Sequence, residues 1–269
     1  MQQAESDKRF AFGRNWQRFL SRLDDERIAQ AERSLVAVLG DVAGKRFLDV
    51  GCGSGLFSLC ARRLGATVHS FDFDRDAVSC AEELRERYFP GDTKWTIEQG
   101  SILDADFIGR LGQFDVVYSW GVLHHTGDLW RALDHAAKLV APGGQLWIAI
   151  YNSLGPVTEG WTAVKRAYVK SNVGRAVVVG LFVPAFFMGN LVADLVKLRS
   201  PMTRYREYQL AHRGMSRVVD WFDWLGGYPY EPARAEEVFD FFRARGFTLQ
   251  RLRTVMDWGN NQFLFRREG

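Results

Sequence analysis

The chain has 269 residues, of which 47% are hydrophobic and 25% are charged, and its formal net charge is +3. This length provides for one full α/β domain plus an elaboration, and the composition fits a soluble enzyme. No Lys- or Arg-rich tract with interleaved aromatic residues is present, so the weakly basic balance does not indicate a nucleic-acid partner. The three cysteines, Cys52, Cys60 and Cys80, form no C-x-x-C pair, which argues against structural zinc and favours a reducing compartment.

The N-terminal residues 1–43 carry apolar side chains at helical spacings. Among them are Trp16, Phe19, Leu23, Ile28, Leu35 and Leu39. The first residues lack the apolar run of a secretory signal, so we expect an intracellular, cytoplasmic protein. We predict that 1–43 form a mainly helical cover over the crevice of the domain that follows.

A glycine-rich loop follows the first apolar strand at residues 47–55, Phe-Leu-Asp-Val-Gly-Cys-Gly-Ser-Gly. Gly51, Gly53 and Gly55 follow G-x-G-x-G, so the third glycine comes one position too early for the dinucleotide fingerprint. Glycines let the backbone turn tightly and approach a ligand closely. Because Asp49 precedes the loop, we expect it to meet a cationic group. A zwitterionic amino acid joined to adenosine would fit, and NAD is not expected.

Further strand-like segments follow this loop along the sequence. A short strand over 67–71 ends in Asp72. Residues 114–119 read as a buried parallel strand that leads into Trp-Gly-Val-Leu-His-His-Thr-Gly-Asp at 120–128. Residues 139–150, with Ala-Pro-Gly-Gly at 141–144, predict a helix end, a tight turn and another apolar strand.

Together these motifs resemble the class I S-adenosylmethionine-dependent methyltransferases, in the branch of small-molecule and ubiquinone-biosynthesis methylases. The resemblance covers residues 44–152 and returns at 236–266. It implies an α/β, Rossmann-like, seven-stranded and mainly parallel sheet, with helices on both faces and an antiparallel last strand. Residues 44–151 and 236–269 would form this core. Residues 152–235 would be a helical insertion after the fifth strand, serving as a lid or substrate subdomain.

The resemblance implies S-adenosylmethionine as the cofactor and S-adenosylhomocysteine as the product, with no metal. Asp72 would accept the ribose hydroxyls. Ser101 stands where many relatives have an Asp that accepts a hydrogen bond from the adenine amino group, and Gln99 or Ile102 would share that contact. The expected cofactor-binding residues are Asp49, Gly51, Cys52, Gly53, Gly55, Asp72, Phe73, Ser101, Ile102, Trp120 and Trp16.

Two histidines follow the fourth strand, at the edge where ligands of open α/β sheets bind. His125, with His124 as the second candidate, is expected to act as a general base if the acceptor is protonated at the working pH. The alternative is that a histidine there only holds the loop by hydrogen bonds. Aromatic residues supply the predicted substrate pocket, namely Tyr151, Trp221, Tyr228 and Tyr230.

The insertion contains 18 residues without a charge, 176–193, which is the length at which a membrane-spanning helix becomes a candidate. Topology argues against a single span, because 236–266 would then lie across the membrane from the sheet that they complete. Pro184, with Gly180 and Gly189 around it, predicts a break into two helices. Two hypotheses remain, an apolar lid over the substrate and a monotopic patch that makes a peripheral membrane contact.

The sequence thus predicts a methyltransferase for a small-molecule acceptor, with oxygen favoured over sulfur or nitrogen. A hydrophobic acceptor, such as a quinone, a lipid or a glycoside, is compatible with the insertion. One alternative is methylation of a transfer RNA base, and another is a protein that binds S-adenosylmethionine without turnover. No motif identifies the acceptor or the oligomeric state.

Overall fold

The computed structural model describes residues 23–196, 200, 203 and 217–269. They form two compact units, one made of 23–155 with 231–269 and the other lying within 156–230. The division predicted from the sequence placed these boundaries at 151–152 and 235–236. Most of the predicted N-terminal cover, including Trp16, lies outside the described residues and stays a prediction.

The larger unit is built on one sheet. Its strands are β1 Arg46–Val50, β2 Thr67–Asp72, β3 Trp95–Gln99, β4 Phe114–Trp120, β5 Val140–Tyr151, β6 Phe247–Arg253 and β7 Asn260–Arg267. They lie in the order β3-β2-β1-β4-β5-β7-β6. Strands β1 to β5 run parallel to one another, and β7 is antiparallel to β5 and β6. The Rossmann-like seven-stranded sheet is therefore confirmed.

Nine α-helices and one 3-10 helix, Leu123–His125, lie in the described part of the chain. The α-helices are α1 Asp25–Leu39, α2 Leu56–Arg63, α3 Arg75–Tyr88, α4 Ala105–Leu111, α5 Leu129–Lys138, α6 Pro156–Lys170, α7 Asn172–Val196, α8 Arg217–Gly226 and α9 Ala235–Arg243. Asp24, Asp74, Asp104 and Asp128 precede α1, α3, α4 and α5, and each carboxylate accepts a backbone N–H of the first turn. Such caps satisfy donors that a helix start leaves unpaired.

Each face of the sheet has its own core. On one face Leu35 of α1 packs in a cluster with Trp147 of β5, and on the other Phe242 of α9 packs in a cluster with Ile148. Neighbouring residues of a strand point to opposite faces, so β5 supplies both cores. Because β1 to β5 are parallel, their carboxyl ends lie at one edge of the sheet. The loops that follow these ends form the candidate site.

The expected tight turn at 141–144 lies inside the range of β5, where β5 has three more residues than β4 between the pairs Phe114–Val140 and Val116–Gln145. Strand β5 runs without interruption from Val140–Tyr151. Its pairing with β4 shifts register between Phe114 and Val116, so the extra residues form a bulge within the strand. Gly143 has a φ of 72°, which side chains disfavour, and the glycine therefore permits the bulge without ending the strand.

The smaller unit contains α6, α7 and α8. Helix α7 continues through Pro184, so the predicted break into two helices is wrong. A mid-helix proline removes one backbone hydrogen bond and crowds the preceding turn. Packing offsets this cost, because Phe182 and Phe186, on either side of the proline, join Trp161 and Trp224 in ring contacts of 4.2 to 5.7 Å.

Candidate cofactor and acceptor site

The glycine loop joins β1 to α2 at the carboxyl edge of the sheet. Gly51, Gly53 and Gly55 all have positive φ, between 54° and 78°. A Cβ on Gly51 would lie 2.4 Å from Cγ1 of Val122, and one on Gly55 would lie 2.9 Å from Cβ of Ala81. Only glycine satisfies both the backbone conformation and the close packing at these positions.

Asp72, at the end of β2, holds the loop in place. Its Oδ2 accepts the Gly53 N–H at 3.0 Å, and its Oδ1 accepts the Asp74 N–H at 2.9 Å. Burial raises the pKa of Asp72 to about 6, and the two backbone hydrogen bonds oppose this rise. A carboxylate oxygen can accept more than one hydrogen bond, so each oxygen retains capacity for a hydroxyl donor.

Asp49 lies below the loop and is buried. Its Oδ2 accepts the Ser58 hydroxyl at 2.5 Å. Ser70 donates to Ser58 at 2.7 Å, and the Trp95 indole N–H donates to Ser70 at 2.9 Å. Burial raises the pKa of Asp49 to about 7, although the Ser58 hydrogen bond lowers it. This chain of hydrogen bonds fixes a carboxyl group that titrates near neutral pH.

The loop after β3 carries the residues expected at the adenine. Ser101 Oγ accepts the Leu103 N–H at 3.2 Å, so the serine turns the chain toward α4. Ile102 is buried, and its carbonyl contacts Nδ1 of His135 at 2.6 Å. The Gln99 amide donates to the Phe73 carbonyl at 3.0 Å, and the Phe73 side chain is exposed. The exposed Phe73 ring and the polar Gln99 side chain, next to Asp72, are compatible with binding of an adenine.

Cys52 and Trp120 occupy packed positions. Cys52 is buried, and its burial raises the pKa of the thiol well above its usual range, so the side chain is no nucleophile at neutral pH. Trp120 stacks on Tyr118 at 6.3 Å and meets Trp147 edge-on at 5.3 Å. Contact of either side chain with a cofactor stays a prediction.

The two histidines differ in their surroundings. His124 is fully buried, and its Nδ1 accepts the Tyr151 backbone N–H at 3.2 Å, which places the ring proton on Nε2. His125 is only partly buried, and its ring lies 5.6 Å from that of Tyr151. His124 therefore ties the β4 loop to the end of β5, whereas His125 is the better placed of the two to take a proton.

The predicted substrate residues divide between the two units. Tyr151 belongs to the larger unit and contacts the histidine rings. Trp221, Tyr228 and Tyr230 belong to the smaller unit, where Lys165 Nζ lies 4.7 Å from the ring centre of Tyr230. Burial lowers the pKa of Lys165 to about 7. These three aromatic residues pack within their own unit, and a shared pocket with Tyr151 stays a prediction.

The sequence pattern did not indicate the polar residues at the end of β5 and the start of β7. Asn152 Nδ2 donates to the carbonyls of Val255 and Asp257, and Asn261 Nδ2 donates to Oδ1 of Asn152 at 3.0 Å. Asn260 pairs directly with Tyr151 across the strands. Its Oδ1 is buried and has no hydrogen-bond partner among the described residues. The only local signal is a pair of asparagines at the start of an apolar strand.

Comparison with known proteins gives a consistent picture. Residues 48–146 match the model of a methyltransferase domain. The chain is 31% identical over 156 residues to a ubiquinone biosynthesis O-methyltransferase of Xanthomonas oryzae pv. oryzae, which covers 56% of this chain and 62% of the relative. It is 35% identical over 115 residues to a tRNA U34 carboxymethyltransferase of Methylococcus capsulatus, covering 42% of this chain and 34% of the relative. The chain thus spans less than two thirds of either relative.

The fold is also similar to that of a solved enzyme. The magnesium protoporphyrin IX methyltransferase of Synechocystis PCC 6803 superposes with a TM-score of 0.52 at 15% identity, over 90% of this chain and 83% of that one. The match in sequence begins in β1 and ends in β5, and β7 and β6 complete the same sheet. Residues 48–146 are therefore a methyltransferase domain, and the complete seven-stranded sheet has the fold of that solved methyltransferase.

Proposed function

We propose that this chain is an S-adenosylmethionine-dependent methyltransferase that acts on a hydroxyl group of an apolar small-molecule acceptor. The residues at the carboxyl edge fit the cofactor, since Asp72 keeps acceptor capacity for two ribose hydroxyls and Asp49 offers a carboxylate to an ammonium group. The bound cofactor would supply a methyl group activated by the sulfonium. The glycine loop would hold this cofactor close to the backbone.

The pH dependence of cofactor binding tests the role of Asp49. An ammonium group binds the ionised carboxyl, and the pKa of about 7 means that this form is scarce at pH 6. We expect affinity for S-adenosylhomocysteine, measured by calorimetry, to rise about tenfold from pH 6 to pH 8. Asp49→Asn should bind more weakly at pH 8 and lose most of this dependence. A flat profile for the unmodified protein would contradict the assignment.

The proton of the acceptor hydroxyl needs a destination. As the oxygen bonds to the methyl carbon and the carbon–sulfur bond breaks, this proton leaves the oxygen. His125 is our proposed base, because it is less buried than His124 and its ring lies beside Tyr151. His124, with Nδ1 engaged by the Tyr151 backbone, would position that loop rather than take the proton.

The observation that supports an acceptor with an O–H or N–H group is the buried Oδ1 of Asn260. Directly opposed residues of antiparallel strands project from the same face, so Asn260 lies on the face from which Tyr151 reaches the histidine rings. A buried acceptor without a donor is costly to leave unsatisfied. A ligand that brings an O–H or N–H group would satisfy it in the bound state, before the proton passes to His125, whereas a carbon nucleophile would not.

The proposal is tested with three matched probes, 4-heptylphenol, 4-heptylaniline and 4-heptylthiophenol. Each is incubated with the protein and S-adenosylmethionine carrying a labelled methyl group, and the products are identified by mass spectrometry against a reaction without protein. We expect transfer to the phenol oxygen at the highest rate. Preferred transfer to the thiol or the amine would refute the acceptor atom, and absence of transfer to all three would refute this class of acceptor.

Asn260 offers a specific variant for the same assay. Asn260→Leu removes the acceptor and should lower kcat/KM for 4-heptylphenol by about tenfold or more, as expected for a lost hydrogen bond. Asn260→Asp keeps an acceptor and should retain more activity. Affinity for S-adenosylhomocysteine should stay unchanged in both. Equal activity of the Leu variant and the unmodified protein would show that Asn260 does not contact the acceptor.

A transfer RNA base is the second candidate acceptor. Two observations favour it: the likeness to a tRNA carboxymethyltransferase and the excess of basic residues in 156–230. Binding to RNA falls steeply with salt concentration. Retention of transfer RNA at physiological salt, with methyl transfer to a base and none to the phenol, would support this candidate over the first.

A further inference from the structure

Helix α7 has a large apolar surface that the smaller unit leaves uncovered. Of its most apolar stretch of 18 residues, only 6% is buried. By length and composition it is the one candidate membrane span found in the described part of the chain. The exposed large residues are Val173, Val177, Leu181, Phe187, Met188, Val192, Leu195 and Val196. We refer to these eight residues as the apolar face of α7.

The apolar face is a continuous stripe. At 3.6 residues per turn, its members fall within about one half of the helix circumference. The opposite side is held by packing, since Phe182 contacts Trp161 at 5.2 Å and Phe186 contacts Trp224 at 5.7 Å. The only acidic residue of α7, Asp194, is buried. Contacts on one side thus fix the helix while the other side presents apolar side chains without a carboxylate.

Charge is segregated in the same part of the chain. Residues 156–230 contain ten Lys and Arg residues against five Asp and Glu, a net charge of +5, so the remaining residues carry −2 to give the total of +3. Lys170 and Arg175 flank the start of α7, and Lys197 and Arg199 follow its end in the sequence. An apolar stripe with basic residues at both ends matches the surface of an anionic bilayer.

The chain topology fixes the kind of contact. Asn152, before the insertion, and Ala233, after it, form a bridge, and β5 and β7 pair in one sheet. Both ends of 156–230 therefore start from the same edge of the larger unit. A single crossing of the bilayer by α7 would separate these ends, so a membrane contact of this helix would lie in the interface rather than span the bilayer.

We propose that the apolar face of α7 docks on an anionic lipid bilayer and lies parallel to its surface. The basic residues of 156–230 attract the headgroups, and the stripe enters the boundary between headgroups and acyl chains. This attachment does not depend on the proposed methyl transfer. If both hold, an acceptor dissolved in the membrane would reach the enzyme without passing through water.

Sedimentation with vesicles tests the proposal on the full chain. We expect binding to vesicles of phosphatidylcholine with phosphatidylglycerol, weaker binding to phosphatidylcholine alone, and a loss of binding as salt rises. The triple variant Leu181→Ser, Phe187→Ser, Val192→Ser should bind at least tenfold more weakly. These side chains are 53 to 64% exposed, so the substitutions remove no core packing. The control is Val36→Ser with Met256→Ser, exposed apolar residues of the larger unit, which should leave binding unchanged.

A second variant tests the electrostatic part independently. Lys170→Glu with Arg175→Glu should remove the preference for phosphatidylglycerol. Circular dichroism and affinity for S-adenosylhomocysteine should be unaltered in both variants, which separates loss of docking from loss of fold or of cofactor binding. No binding to anionic vesicles, or equal binding by the triple variant, would overturn the proposal. Self-association through the apolar face, or binding of RNA in preference to vesicles, would also overturn the proposal.

Discussion

Replacing Asp72 with Ala should weaken binding of S-adenosylhomocysteine by about 100-fold or more. Two hydrogen bonds from ribose hydroxyls to a carboxylate contribute about 1.5–3 kcal/mol each, and the variant also releases the Gly53 N–H that Asp72 holds at 3.0 Å. Asp72→Asn, which keeps one acceptor oxygen, should lose less affinity. Calorimetric titration at pH 8, where Asp72 is ionised, measures both effects.

The matched control for Asp72 is Asp104→Ala. Asp104 also follows a strand of the sheet and also accepts backbone N–H groups, those of Asp106 and Phe107 at the start of α4. Its loss should cost about 1 kcal/mol of stability, as for other helix caps, and should leave cofactor affinity unchanged. If Asp72→Ala and Asp104→Ala bind S-adenosylhomocysteine equally well, Asp72 does not contact the ribose.

His125→Ala should lower kcat for 4-heptylphenol by about 10²- to 10⁴-fold, the usual contribution of a general base. Affinity for S-adenosylhomocysteine should change little, because the base acts on the acceptor. The pH dependence of kcat should disappear in the variant. Steady-state kinetics between pH 5 and pH 9, combined with calorimetry, separate these effects.

His69 provides the comparison for His125. It lies within β2, away from the carboxyl ends of the strands, where its Nε2 contacts Glu98 at 2.8 Å. His69→Ala should alter stability but leave the pH profile of kcat in place. A drop of less than threefold for His125→Ala, or a profile that keeps its shape, would show that His125 only supports the loop.

The parts of the site that the sequence predicted are those encoded over a few neighbouring residues. Asp72 was recognisable because it ends a short apolar strand, and Gly51 and Gly55 because tight turns with positive φ require glycine. The seven-stranded sheet with an antiparallel last strand followed from the family resemblance that these segments carry. Local patterns of this kind specify the glycine loop and Asp72, which form the proposed cofactor half of the site.

The remaining features depend on contacts between distant residues. Asn260 meets Tyr151 only because β7 runs antiparallel to β5, and Ser58 meets Asp49 only when α2 folds back on β1. The continuation of α7 through Pro184 depends on aromatic packing that outweighs a local helix breaker. Local propensity cannot reveal such pairings, which is why the acceptor side of the site was less predictable than the cofactor side.

Calorimetric titration of the purified protein with S-adenosylmethionine and, separately, with S-adenosylhomocysteine tests the central claim most directly. The account predicts that both bind in the micromolar range at pH 8, and that Asp72→Ala removes most of the heat in each titration. If neither compound binds at pH 8, the glycine loop and Asp72 do not form a cofactor site, and the proposed methyl transfer is refuted.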